Sequence, residues 1–280
     1  MKLYGYTCSY NCAYLIPYVM PYVERLGYDK FVVYDNMSND NTVELLSKYP
    51  FVEVRKYDTN GIFDEVARNN LHVDSINDCY NIYEETGEDI WTTWTDFDEV
   101  IWPNIMIDFK CYLNTMKEVW GYNYFSAKMV DLFFKDGQKR EPFVNNEHTL
   151  IHTVDDIMCH WWNREGVKPT LLLINSIDKC RIVHGNHCMY VTPKKGVEMI
   201  NLNETGTLHA FHLKYIDLKS VIDSEKKRKD RRMPSTDEEN VELAFKNYLS
   251  ASFPISDYFL HSAFESSKNG IHHHEGLICL

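Results

Sequence analysis

Residues 95–102, TDFDEVIW, carry the densest chemistry in the chain: Asp96 and Asp98 stand two positions apart, with a third acid directly after them. Carboxylates so spaced at the end of a strand present an oxygen-rich edge to a hard divalent cation, which keeps positions open for phosphate oxygens. Asp98 is the first metal candidate, and Asp96 lies nearer a ribose or a metal-bound water. Taken alone, D-x-D is a short pattern, and a solvated acidic turn is the alternative. A second cluster, YDNMSNDNT at residues 34–42, puts Asp35 where a ribose or base could donate hydrogen bonds to it. Ser38, Asp40 and Asn41 can close the turn into the next helix, and capping alone explains Ser38 and Asp40.

These side chains need a frame that brings strand ends together. Residues 2–7 suit a strand, 13–26 a helix bent at Pro21 and stopped by Gly27, and 31–35 (FVVYD) a buried parallel strand. Residues 42–49 read as helix, 51–56 as strand, 63–85 as mostly helix and 90–95 as a fourth strand. Such a βαβ series predicts a parallel sheet covered by helices, with ligands beyond the carboxyl ends of its strands. Asp35 and the acidic pair both fall at such ends. Further on, the pattern predicts a helix over 107–116, a strand over 122–134, a loop over 135–147 and a helix over 153–164. Strands at 171–174, 181–184 and 208–213 and helices at 217–232 and 237–249 follow, without an internal repeat.

Composition narrows the partners. The 280 residues are 44% hydrophobic, enough for a substantial core, and 29 basic against 41 acidic residues leave a formal charge of −12. That balance opposes general binding to nucleic acid or anionic lipid. The one dense basic run, KKRKDRR at 226–232, is either a solvated helix face or a local contact for a diphosphate, a lipid-linked acceptor or the inner membrane face. No apolar run approaches a membrane span, the start has no apolar leader, and the eight cysteines form no C-x-x-C pair. Reduced thiols and a cytoplasmic location are the expectation.

Residues 7–42, TCSYNCAYLIPYVMPYVERLGYDKFVVYDNMSNDNT, followed by TDFDEVIW, resemble the opening of glycosyltransferase family 2 and the related family 92. Order, spacing and context agree over roughly the first 105 residues and more loosely beyond. The resemblance implies an α/β chain with a GT-A (Rossmann-like) fold, a mostly parallel sheet flanked by helices. It also implies sugar transfer from a nucleotide diphosphate sugar, with Mn²⁺ or Mg²⁺ at the aspartates. Carried over by position, Thr7 and Asn11 line the nucleotide, Asp35 contacts the nucleoside, Asn77 and Asp78 face the diphosphate, and Asp96 and Asp98 form the D-x-D pair. The chain departs from the family pattern at Cys12 and Val100. A downstream histidine often adds a metal ligand in this fold, and LHAFHLKYIDLKS favours His212, with His184, His187 and His209 as alternatives. For each of them a structural histidine bonded to a backbone carbonyl is the bland reading.

An inverting transferase also needs a carboxylate near the acceptor hydroxyl. Asp155 and Asp156 lie at a suitable distance along the chain and at a helix start, where simple capping explains them equally well; Glu147 and Asp131 are held in reserve. The reading is a metal-dependent, hexosyltransferase-type enzyme serving a glycan or lipid-linked acceptor in surface polysaccharide or glycoconjugate synthesis. Residues 1–215 would form the GT-A domain, with a nucleotide half to about 105 and an acceptor half over 106–215, and residues 216–280 a C-terminal helical extension. The rivals are a non-catalytic sugar-nucleotide or glycan-binding module and a sugar nucleotidyltransferase. The latter is disfavoured because CSYNCAYL lacks the Gly-rich basic loop that grips a triphosphate.

Overall fold

Strict alternation of side chains governs the N-terminal sheet. In a computed structural model, β1 (Lys2–Ser9), β2 (Lys30–Asp35), β3 (Val52–Lys56) and β4 (Ile90–Trp94) pair in parallel, in the spatial order β3-β2-β1-β4. The structure describes residues 1–103, 108–134, 157–161, 167–183, 188–202, 208–213, 218–230, 240–243, 246–247 and 253–254. Leu3, Phe31, Val33 and Trp91 face one core layer, shared with α1 (Ile16–Arg25) and α4 (Phe109–Trp120). Tyr6, Val32, Tyr34, Ile90 and Trp94 face the other, beneath α3 (Glu65–Thr86). Both faces are therefore covered at the centre of the sheet, which is why β2 and β4 are buried along nearly their whole length. At Gly5 a Cβ would collide with the ring of Phe31, so this point on β1 has no room for a side chain.

The crossover helices fix the direction of the strands. Short α2 (Thr42–Leu46) links β2 to β3, and α3 returns from β3 to β4. Asp64 caps α3 by accepting the Ala67 N–H at 2.9 Å, and Gly87, in the left-handed region at φ 68°, ends it. At 22 residues α3 spans about 33 Å, so its first two turns stand over the carboxyl ends of the strands. No helix among the described residues is long and apolar enough to cross a membrane.

Beyond β4 the sheet becomes mixed. β5 (Glu99–Pro103) starts directly after the acidic turn, and β6 (Tyr124–Phe134) forms the spine of this half. β8 (Val167–Leu173) and β7 (Ile157–Trp161) lie along one edge of β6, both antiparallel to it. β11 (Asn201–Leu202) and β12 (Leu208–His212) lie parallel along its other edge, and β12 also pairs antiparallel with β5. β8 joins this half to β4. A separate hairpin of β9 (Ile177–Val183) and β10 (Cys188–Pro193) packs against α3. After α5 (Leu218–Asp230), β13 (Phe253–Pro254) adds a short strand beside β7.

The helix expected over 153–164 is corrected here, because residues 157–161 form β7. Two acids mark a helix start only when a helical period follows, and IMCHW instead fills the open edge of β6 by pairing with it. β5 and β10 lie where the sequence reading placed no strand. The loop expected over 135–147 lies outside the described residues, and of the helix expected over 237–249 residues 240–243 and 246–247 are helical.

Candidate functional site

The strand register brings three acids to one imidazole. On β12, His212 stands beside Asp131 of β6 on one side and Glu99 of β5 on the other. Directly paired residues point to the same face of a sheet, so the three side chains form a row across three strands. Asp98, one residue before β5, closes over this row, and its carbonyl accepts the Leu213 N–H at 2.7 Å. His212 Nδ1 meets Asp131 Oδ1 at 2.7 Å, and its Nε2 lies 3.4 Å from Asp98 Oδ2. Ligand atoms of Asp98, Glu99 and His212 all fall within 4.8 Å of one another. Burial opposes charge on the imidazole, but Asp98 and Asp131 outweigh it and push the His212 pKa up to about 10. Two carboxylates and an imidazole nitrogen are a donor set that suits Mn²⁺ and, through its oxygens, Mg²⁺.

Asp96 is turned elsewhere. Its carboxylate pairs with Arg68 of α3, and its backbone N–H donates to Glu99 Oε2 at 3.1 Å. The turn closes with the Glu99 N–H on the Asp96 carbonyl at 3.0 Å. Glu99 thus braces the turn while lying among the three converging groups. Arg68 does not stand out in the linear reading, and Glu99 appears there only as the acid that follows the pair. The available signal is on α3, where Arg68, His72, Ser75 and Cys79 recur at helical spacing on the face toward the sheet. A stripe that polar on a buried face has partners to meet.

At the end of β2, Asp35 is buried and bonded on both oxygens. It accepts from Ser9 Oγ at 3.0 Å, from Ser38 N–H at 2.9 Å and from Ser38 Oγ at 2.5 Å. Asn11, at φ 50°, donates its N–H to Ser38 Oγ at 2.8 Å and accepts the Asn39 N–H at 2.9 Å. Asp40 binds Thr42 N–H and Oγ1 and reaches the Ala13 N–H at 3.2 Å. The loops after β1 and β2 are thereby stitched into one ledge. Next to it, Asn36 Oδ1 accepts from Thr59 N–H at 3.1 Å and from Thr59 Oγ1 at 3.0 Å.

The remaining expected site residues are placed differently. Thr7 is fully buried within β1, with its hydroxyl toward the Cys8 carbonyl at 3.5 Å. Asn77 is exposed, and Asp78 is paired with Arg55 of β3. Both sit about 15 Å along α3 from the turn that carries Arg68, so neither joins the acidic row. His209 is buried on the opposite face of β12 from His212, near Phe211. Asp155, Asp156, Glu147, His184 and His187 lie outside the described residues. Asp131, held in reserve as a base, is 1% exposed and already bonded to His212, which removes it from reach of an acceptor hydroxyl.

Among solved structures, S. aureus TarS 1-349 is similar at 10% identity, over 89% of this chain and 71% of that one, with a TM-score of 0.40. The same protein in complex with UDP is similar at 13% identity over the same shares, with a TM-score of 0.42. In complex with UDP-GlcNAc the likeness is 17% identity over 47% of this chain and 35% of that chain, with a TM-score of 0.33. This chain thus spans about a third of that last structure's length. A search of curated proteins returns no match. The profile of glycosyltransferase family 92 matches residues 12–248, most of the chain and all of the strands that assemble the acidic row. The chain belongs to glycosyltransferase family 92.

Proposed function

We propose that the chain moves a sugar from a nucleoside diphosphate donor to a hydroxyl of a glycan or lipid-linked acceptor, with Mn²⁺ or Mg²⁺ held by Asp98, Glu99 and His212. The observation that supports this most directly is the meeting of those three side chains within 4.8 Å, in a member of a glycosyltransferase family. When bound, such an ion offsets the negative charge that gathers on a departing diphosphate. The chain's own residues prepare the ground. Arg68 neutralises Asp96 and holds the acidic turn against α3, while Asp35, Ser9, Ser38 and Asn11 keep the neighbouring ledge in one shape. On this reading the nucleotide half covers about residues 1–105 and the acceptor half 106–215, before a C-terminal helical extension. Asp155 and Asp156 are our candidates for taking the acceptor proton.

A role in surface polysaccharide or glycoconjugate synthesis, on the inner membrane face, belongs to the same proposal. The basic run at 226–232, whose first five residues lie on α5, would supply the contact with anionic headgroups. The test is release of nucleoside diphosphate from a panel of sugar nucleotides, with Mn²⁺ and with a chelator. Metal-dependent release that disappears in Asp98→Asn is the expected result. Saturable binding without release would instead make the protein a sugar-nucleotide-binding module.

A further inference from the structure

We infer that Asp131 is a positioning residue for His212: it holds the imidazole by Nδ1 so that Nε2 is presented to the cation shared with Asp98 and Glu99. The inference rests on the metal reading above and adds a residue that touches neither the ion nor the donor.

Register supplies the first argument. Asp131 and His212 are direct partners in the parallel pairing of β6 and β12, so the two side chains leave the sheet side by side. Their contact at 2.7 Å is a charge-assisted hydrogen bond. An imidazole engaged through Nδ1 has only Nε2 to offer, and Nε2 is the atom that faces Asp98. A carboxylate behind a ligating histidine fixes both ring orientation and tautomer and raises the basicity of the ligand nitrogen.

Burial supplies the second. Asp131 is 1% exposed, and its other oxygen, Oδ2, is buried without a hydrogen-bond partner among the described residues. An amide or an apolar residue would avoid the desolvation that this carboxylate suffers. What a carboxylate alone contributes at this position is a full negative charge facing the imidazole Nδ1–H. β6 is also a rigid base for it, since β7 and β12 pair along its two edges at this level.

The experiment is Mn²⁺ titration of the full chain by electron paramagnetic resonance, with pulsed detection of nitrogen-14 coupling from a bound imidazole. Wild type should bind with that coupling. Asp131→Asn keeps the shape and an oxygen that accepts from Nδ1–H, so it should retain the coupling and bind severalfold more weakly. Asp131→Leu frees the ring and should lose about 10- to 100-fold in affinity together with the coupling. Affinity and coupling in Asp131→Leu equal to wild type overturn the inference and leave the metal reading standing. If Asp131→Leu does not fold, unchanged affinity in Asp131→Asn overturns it equally. Wild-type binding without nitrogen coupling rejects the role of His212, and with it that of Asp131. A wild-type chain that takes up no Mn²⁺ rejects the metal reading and this inference together.

Discussion

On the β1–β4 side of the rim, polar groups satisfy one another across short lengths of chain: Asp35 with Ser9 and Ser38, Asn36 with Thr59, Asp40 with Thr42. On the β5–β6–β12 side, Asp98, Glu99 and Asp131 surround the single imidazole of His212. The first wall is finished before any ligand arrives, and its ion pair between Arg68 and Asp96 is internal. The second gathers its acids around one imidazole, where our proposal seats a divalent cation. Shape and charge are thus supplied by different halves of the molecule, and each half can be broken separately.

The largest effect is expected at the second wall. Asp98→Asn should lower sugar transfer on the order of 10²-fold or more, as loss of a key electrostatic contact does. Its fold should survive with only a small change in thermal stability, because the substitution removes both the repulsion between Asp98 and Glu99 and the attraction between Asp98 and His212. Initial rates and a melting curve on the same preparation check both halves of the statement; full activity would dismiss Asp98 as a ligand. At the first wall, Arg68→Met removes the ion pair between α3 and Asp96. Because Asp96 is 31% exposed, water softens the loss, and about 2 kcal/mol in urea unfolding is expected. A change of only a few tenths would mean that the pair is screened.

The same contrast explains what the sequence disclosed. The parallel half was readable because each element announces itself locally: β2 as FVVYD, the stop at Gly27, the acidic turn directly after β4. Asp98 stands out in a local pattern, whereas His212 and its place beside the aspartates come only from likeness to the family, and nothing local says that the two meet. Their contact depends on β12 pairing with β5 and β6 at separations of about a hundred residues, and register at that range leaves no trace in a single sequence. Arg68 was passed over for a related reason. An arginine on a helix as polar as α3 reads as solvated until the strand beneath it offers a carboxylate. Residues 77 and 78 were favoured by likeness to the family, whereas the helical rise puts them well down α3 from the rim.

A smaller effect should separate the walls by pH. His72, on α3 above Trp94 with 3.6 Å between ring centroids, is 2% exposed and has no partner on either ring nitrogen among the described residues. Burial, helped by Arg68, pushes its pKa down to about 2. An unfolded histidine takes a proton near pH 6.5, so below that value the unfolded state binds a proton that the folded state refuses. The contribution of His72 to stability should therefore fall with falling pH, by about 1.4 kcal/mol for each unit below about 6.5, against the opposite trend of His212 above that value. His72→Phe should remove this share of the slope, read as urea midpoints at pH 7.5 and 5.5. Identical slopes in the two proteins would show that the ring titrates freely.

The finest test asks whether the walls are independent at all. Ser38 Oγ joins the loops after β1 and β2, donating to Asp35 and accepting from Asn11 N–H. Ser38→Ala removes both bonds and should cost about 1 kcal/mol of stability. The ledge would loosen while the acidic row keeps its register, since no strand pairing passes through Ser38. The expected signature is a severalfold rise in donor KM, with kcat and Mn²⁺ affinity close to wild type. A parallel loss of Mn²⁺ affinity would mean that ledge and row move together. The turn carrying Asp96, tied to α3 by Arg68 and to the row by Glu99, is then one link through which a slack ledge could reach His212, and the packing of α1 on β5 is another.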